Sequence, residues 1–313
     1  MQAPLRFSII TPTYNRPVRV IEAIDSVASQ SGFEGRVEMI LADDSTDDTL
    51  AVAEKAAAKY PGMTLRCHHN ESRLGVTGSR NRGIDLATGD VLIFLDSDDQ
   101  LLPGALSYID AFMKEHPEID LLFGAVRNKS GRPHRCHAPL LDREASYEEL
   151  IVINETSRVG EFLPVVRRDA LVKSGLRFDA TVEGTEALLW FGLAQHRYRI
   201  WYASEVLRLY DDVGDDRNST PNLRVRRARV FGRGHMIELQ RWGDDLRRLS
   251  KRAYAKKVMK TVLYYRLAEP ADPEGEEFLR RTHPVLFAAT TIFPPALLRH
   301  SLKLYVARQF RDP

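Results

Sequence analysis

The chain has little with which to build a cross-linked or membrane-spanning fold. Its 313 residues include two cysteines, Cys67 and Cys136. Neither lies in a CxxC pair, and two thiols make no disulfide framework, which favours a reducing compartment. No apolar stretch reaches the ~18 residues needed to cross a bilayer. The longest uncharged run, PVLFAATTIFPPALL at 284–298, is broken by Pro294-Pro295. The N-terminus, MQAPLRFSIITPTYN, lacks a signal peptide's charged start and long apolar core. These absences lead us to expect a cytoplasmic protein. Internal repeats and low-complexity segments are missing too. His134 and His137 flank Cys136 in RPHRCHAP without a fourth ligand at a fitting spacing, and read as a polar loop.

The apolar share of 43% and charged share of 28% are ordinary for a globular chain, so a sizeable core is available. The net charge of +2 hides an asymmetry. Residues 1–216 carry 24 Lys/Arg against 34 Asp/Glu, and residues 217–313 carry 21 against 9. The front is near −10 and the tail near +12. That break suggests a domain at 1–215 followed by a basic module at 216–313.

The first 126 residues alternate two periods. Strands are expected at 5–11, 37–42, 63–69, 91–96 and 119–126, and helices at 17–29, 47–59, 75–87 and 104–116. Such alternation builds an α/β fold, a mostly parallel Rossmann-like sheet with helices on both faces. The middle, 127–215, is less regular. It offers a strand, short helix and loop in 160–179, a helix at 184–196 with Leu188, Leu189, Phe191 and Leu193 inward, and a strand at 198–203. From 222 the pattern is helical, interrupted by Pro270, Pro273, Pro284 and Pro294-Pro295.

Ligands of such sheets bind beyond the carboxyl ends of the strands. Two acidic clusters lie there: DDSTDD (43–48) after the second strand and DSDD (96–99) after the fourth. On one rim they repel unless cations or donors bring them together. Asp96-Ser97-Asp98 is a D-x-D, and its place between an apolar strand and a helix makes it more specific than the motif alone. Two carboxylates at a strand end suit Mg2+ or Mn2+ bridging to a diphosphate. The competing reading is N-capping of the next helix, for which three acids are more than is needed.

Four segments occur in a telling order: FSIITPTYNRPVRVIEAIDSVASQS, ILADDSTDDT, RLGVTGSRNRGIDLATGDVLIFLDSDDQLLPGAL and FDATVEGTEALLWFGLA. Together they resemble the motifs of the glycosyltransferase family 2 enzymes, over about 1–210. The resemblance implies a GT-A fold and an inverting, metal-dependent transferase using a nucleotide-diphosphate sugar such as a UDP-, GDP- or dTDP-sugar. It implies that Thr11, Pro12, Thr13, Tyr14 and Asn15 cradle the base and ribose, and that Asp43 or Asp44, preferably Asp44, accepts the base's N–H. The family's DDGSTD is one residue longer than the DDSTD found here. Gly75 and the SRNRG of 79–83 match the family's ARN-G helix, with Arg80 neutralising the acids or approaching the diphosphate. Asp96 would face the ribose and help hold the metal, and Asp98 would hold it.

The family's general base is an acid at a helix start, with an aromatic residue four positions on. Here Gly184-Thr185-Glu186 and Trp190 occupy that pattern, so Glu186 stands where aspartate is usual, with Glu183 as a rival. Alternatively Glu186 is a first-turn acid favouring the helix dipole. RLYDDVGDDRNSTPN (208–222) lies where the family has a mobile loop, and Arg217, Asn218 and Ser219 would meet the phosphates. It also reads as a solvated linker. In the tail, Arg226, Arg229 and Arg233 recur at helical spacing, as do Lys256 and Lys260. Three readings stand: a solvated face, a surface for anionic lipid at the inner face of the membrane, or a site for an anionic acceptor. No motif supports nucleic acid, and oligomerisation would use these helices.

The expected function is therefore glycosyl transfer to an acceptor hydroxyl. A rival is a non-catalytic sugar-nucleotide-binding protein that kept the fold and lost turnover. A nucleotidyltransferase would carry a Gly-rich, Lys/Arg-containing signature after the first strand, and TPTYNRP is not one.

Overall fold

The computed structural model describes residues 3–310 apart from 133, 135, 158, 183, 214–224, 269–271 and 293. The chain divides into two compact units. One comprises Met1–Tyr147, Gly160–Ala180 and Leu189–Gly214, and the other Glu148–Val159, Thr181–Leu188 and Asp215–Pro313.

The first unit begins with alternating β1 (Arg6–Thr13), α1 (Arg19–Ala28), β2 (Arg36–Asp43), α2 (Thr49–Ala57), β3 (Thr64–His69), α3 (Gly75–Leu86) and β4 (Val91–Phe94). The strands lie in the order β3-β2-β1-β4, all parallel. Then come β5 (Gln100–Leu101), α4 (Ala105–Glu115), β6 (Leu121–Asn128), β7 (Arg143–Ala145), α5 (Tyr147–Thr156), β8 (Leu163–Arg167), α6 (Arg168–Ser174), α7 (Ala187–Gln195) and β9 (Ile200–Tyr210). All but Tyr147 of α5, and Ala187 and Leu188 of α7, fall to the second unit.

Three parts of this differ from the periodicity. The sheet is mixed beyond β4, because β8 inserts antiparallel between β4 and β6. The last strand runs to Tyr210, where 208–210 had read as loop, because β6 and β5 flank its far end and supply ladder partners. Helix α5 was also not expected in the irregular middle.

Alternation along the strands sorts the helices. Phe7 and Ile9 face one side and pack with Val20, Ile24 and Val27 of α1 and Leu106 and Ile109 of α4. Ile10 and its register partner Phe94 face the other. There α3 comes so close that a Cβ on Gly83 would sit 2.4 Å from Ile10 Cγ2. Phe94 meets Phe178 and Trp190 edge-on at 5.3 and 5.5 Å, a geometry that favours ring quadrupoles. The expected inward residues of α7, Leu188, Leu189, Phe191 and Leu193, are all buried.

The second unit is helical: α8 (Ala228–Leu249), α9 (Lys251–Leu267), α10 (Pro273–Thr282), α11 (Pro284–Thr291) and α12 (Pro295–Phe310). Pro273, Pro284 and Pro295 start helices instead of interrupting them, since proline's missing N–H has no intrahelical partner at that position anyway. Ser250 caps α9 by accepting from the Ala253 N–H. Met236, Leu239, Val258, Val262, Leu279 and Phe287 form a shared core. Among the described residues no helix is long and apolar enough to cross a membrane.

The basic tail is partly internal. Lys257 is buried between Glu155 of α5, at 2.9 Å, and Glu238 of α8. Lys260 reaches the same Glu155 at 3.0 Å, so it does not share one solvated cationic face with the exposed Lys256, Arg226 and Arg229. Lys257 and then Lys260 overcome the cost of burial and hold the Glu155 carboxyl down at about 2. A depressed carboxylate stabilises the fold fully above its unfolded value near 4.5 and loses that contribution as pH falls towards 2. Replacing Glu155 by glutamine should cost ~3–5 kcal/mol at neutral pH, because it leaves Lys257 buried with less countercharge. Urea unfolding followed by circular dichroism from pH 7 to pH 3 should show the two proteins converging in acid.

Candidate functional site

The parallel strands point their carboxyl ends at one rim of the first unit. Thr11 and Pro12 belong to β1 itself, not to the loop after it, and both are buried. Tyr14 leaves the strand and is 40% exposed, with the Arg73 guanidinium 4.1 Å from its ring centroid. Asn15 takes a left-handed φ of 50°, which asparagine tolerates better than most residues. Its N–H donates to Ser45 Oγ at 2.8 Å, and its Oδ1 accepts from the Thr46 N–H at 2.9 Å. The Arg16 N–H donates to Thr49 Oγ1 at 3.0 Å. The β1–α1 loop is thereby stitched to the shortened DDSTDD loop.

The two acids of that loop do different work. Asp43 is buried and accepts from Thr13 Oγ1 and Ser45 Oγ, both at 2.5 Å, with His69 Nδ1 at 3.0 Å. Asp44 accepts from Asn70 Nδ2 at 2.9 Å, the Leu74 N–H at 3.1 Å and the Gly75 N–H at 2.8 Å. It caps the N-terminus of α3, where the backbone donors have no helical partner and negative charge is favoured. Gly75 supports the turn with φ 69°.

After β4, each carboxylate of DSDD meets an arginine from a different element. Asp96 Oδ1 is 2.8 Å from Arg80 Nη2 of α3. Asp98 Oδ2 is 2.5 Å from Arg16 Nη1 and 3.9 Å from Arg19 Nη1. Asp99 is buried with Arg208 of β9, Oδ2 to Nη1 at 3.2 Å, and its Oδ1 accepts the Asp211 N–H at 2.8 Å. Asp211 holds Arg19 at 2.5 Å. Arginines are thus the donors that let the acids share the rim, with Arg80 paired to Asp96.

The three carboxyls titrate apart. Burial would raise Asp96, but Arg80, then Arg208 and Arg16, outweigh it and hold the group below its usual range. Burial and then the charge of Asp96 raise Asp98 in spite of Arg16. Burial pushes Asp99 up to about 8, with Asp96 and Asp98 adding to it and Arg208 opposing. Burial thus prevails at the second and third positions, and the combined arginine charge prevails at the first.

Glu186 lies in the second unit, half-buried, just before α7. Its approach is fixed by Gly184, whose φ is 71° and where a Cβ would sit 2.8 Å from Phe231 Cε1 of α8. Thr185 is buried against Gly234, where a Cβ would come within 2.3 Å of Thr185 Cγ2. Trp190, the aromatic residue four positions on, lies in the first unit's aromatic cluster. Glu183, Arg217, Asn218 and Ser219 lie outside the described residues. The rim brings together Thr11, Pro12, Tyr14, Asn15, Asp43, Asp44, Gly75, Arg80, Asp96 and Asp98.

The family model for glycosyl transferase family 2 matches residues 8–170. The chain belongs to this family. A GalNAc(5)-diNAcBac-PP-undecaprenol beta-1,3-glucosyltransferase of Campylobacter jejuni is 31% identical over 66% of this chain and 64% of its own length. A PGL/p-HBAD biosynthesis glycosyltransferase of Mycobacterium bovis is 41% identical over 42% of this chain and 50% of its own. The chain thus spans less than two thirds of the length of either relative. Two solved structures share the fold. Staphylococcus aureus TarS 1–349 with UDP-GlcNAc has a TM-score of 0.61 at 18% identity, covering 98% of this chain and 92% of that one. The mannosyltransferase PcManGT of Pyrobaculum calidifontis, with GDP-Man and Mn2+, has a TM-score of 0.60 at 17% identity, covering 98% and 86%.

Sequence reasoning missed Arg16, Arg19, Arg208 and Asp211, which pair with the rim's carboxylates or with each other. Arg16 and Arg19 were visible as cations three residues apart before an amphipathic helix. Arg208 carried no local signal, since a charge in a strand finds its partner only when the sheet is assembled. Replacing Arg208 by methionine should destabilise the protein by ~1 kcal/mol more at pH 8–9 than at pH 6, by leaving the ionised Asp99 without its countercharge. The loss should shrink as pH falls, because a protonated Asp99 needs no countercharge. Urea unfolding at a series of pH values measures both effects, and a pH-independent loss would point to packing instead.

Proposed function

We propose that this family 2 chain moves a sugar from a nucleotide-diphosphate donor to an acceptor hydroxyl, with inversion at the anomeric carbon. The observation that carries the reading is the D-x-D at the end of β4, its Asp98 facing a β1–α1 loop that presents the exposed Tyr14 and the cationic Arg16. A ring for a base and arginines beside carboxylates suit a molecule with a π-face at one end and a diphosphate at the other. The UDP-GlcNAc bound by TarS and the GDP-Man bound by PcManGT support that donor class in this fold.

The donor set also fits a hard divalent cation, Mn2+ or Mg2+. Such ions take one or two carboxylates and complete their shell with water and phosphate oxygens. Asp98 and Asp96 would hold it. When bound, the cation supplies charge neutralisation for the departing diphosphate. Among the described residues no three His, Cys, Asp or Glu side chains are grouped to hold a metal, so phosphate and water would provide most of the shell.

In the transfer the acceptor oxygen attacks the anomeric carbon from the face opposite the diphosphate. The new C–O bond forms as the bond to the β-phosphate oxygen breaks, and that oxygen keeps the electron pair. The acceptor's proton goes to a carboxylate acting as general base, a role we assign to Glu186. Tyr14 and Asn15 orient the base and ribose, and Arg16 and Arg80 offset phosphate charge.

Donor hydrolysis without acceptor tests this reading against a protein that binds sugar nucleotides without turnover. UDP-, GDP- and dTDP-sugars should be screened with Mn2+, and slow hydrolysis of one of them is expected. Excess chelator should abolish it; undiminished turnover in chelator removes the metal. Glu186→Gln should leave donor affinity intact and lower kcat by ~10²-fold or more, with Glu186→Asp retaining part of the activity. An active Glu186→Gln beside an inactive Glu183→Gln would move the base to Glu183.

A further inference from the structure

The oxygen that a cation would need on Asp98 already has a cation beside it. Arg16 Nη1 lies 2.5 Å from Asp98 Oδ2. The second arginine near that oxygen, Arg19 at 3.9 Å, is committed to Asp211 at 2.5 Å. The main chain at Arg16 is fixed on both sides. Asn15 is pinned to Ser45 and Thr46, the Arg16 N–H is bonded to Thr49, and Pro17 restricts the backbone of the residue before it. The side chain is partly exposed, at 22%, so its guanidinium can change partner by rotation about its own bonds without moving the loop.

A divalent cation and a guanidinium on one carboxylate oxygen repel each other, so the two compete for Asp98. A nucleotide diphosphate changes that competition, because arginine's fork matches phosphate as well as carboxylate. We infer that Arg16 is a displaceable internal counter-cation, which holds Asp98 in the metal-free protein and passes to the donor's diphosphate when the divalent cation takes Asp98. The inference rests on the metal reading proposed above. Metal alone then binds weakly, metal and nucleotide bind cooperatively, and by linkage each raises the other's affinity by the same factor. Arg19 stays on Asp211 and keeps the start of α1 in place during the exchange.

The test is Mn2+ binding, read by loss of the free-ion EPR signal, with and without UDP or GDP. It needs no turnover. In the wild type, one nucleotide should tighten Mn2+ binding. Arg16→Met should bind Mn2+ alone at least ~10-fold tighter than the wild type, and the enhancement by nucleotide should shrink by a similar factor. Arg16→Gln, which keeps a polar side chain, should do the same and serves if the methionine variant fails to fold. Arg6→Gln makes the same change in net charge at the opposite end of β1, where Arg6 pairs with Asp90 at the surface, and should leave Mn2+ binding unchanged. Mn2+ binding no tighter in either Arg16 variant than in the wild type, or equal tightening in Arg6→Gln, overturns the inference. Absence of Mn2+ binding to the wild type even with nucleotide overturns the metal reading itself, and the two failures are told apart by that one measurement.

Discussion

Carboxylates crowded at the end of β4 repel, and the architecture of the first unit answers that repulsion. Asp96, Asp98 and Asp99 each draw an arginine from a separate part of the chain: α3, the β1–α1 loop, and β9. Each pairing is also a tether, fixing a helix or strand end at the rim. The cluster therefore organises the site before any ligand arrives. Burial, and then the neighbouring carboxylates, raise Asp98 and Asp99 in spite of their arginines.

The second acidic pair solves a different problem. Asp44 spends its oxygens on the amide groups that open α3 and on Asn70, so a residue at the end of one strand sets the start of the helix after the next. The missing residue in DDSTD fits the same economy. Ser45 and Thr46 lie directly under Asn15, and the left-handed turn at Asn15 lets Tyr14 project outward while the next residue turns to Asp98. The exposed Tyr14 ring and the Arg16 guanidinium on Asp98 are thus near neighbours in the chain with a left-handed residue between them.

The helical unit uses charge in its interior. Glu155, Lys257 and Glu238 are all buried, and removing any one would leave the others with less countercharge in a medium that solvates ions poorly. This explains how a strongly basic segment folds compactly: part of its charge is neutralised inside, with an acid drawn from α5, far away in the chain.

Much was legible from local pattern. The period of two and the period of 3.6 are short-range properties, so β1 to β4, their helices and the acidic strand ends could be read directly. Proline's helix-starting role at Pro273, Pro284 and Pro295 was also local, and was misread as interruption. What the sequence by itself determined is the α/β frame and the carboxylates placed at its strand ends. Tertiary structure alone decided what each charge faces. Asp99 meets Asp211 across 112 residues, Lys257 and not Lys256 turns inward to Glu155, and β8 enters the sheet antiparallel. An ion's partner depends on which elements the topology brings within a few ångströms, and no window of neighbouring residues contains that information.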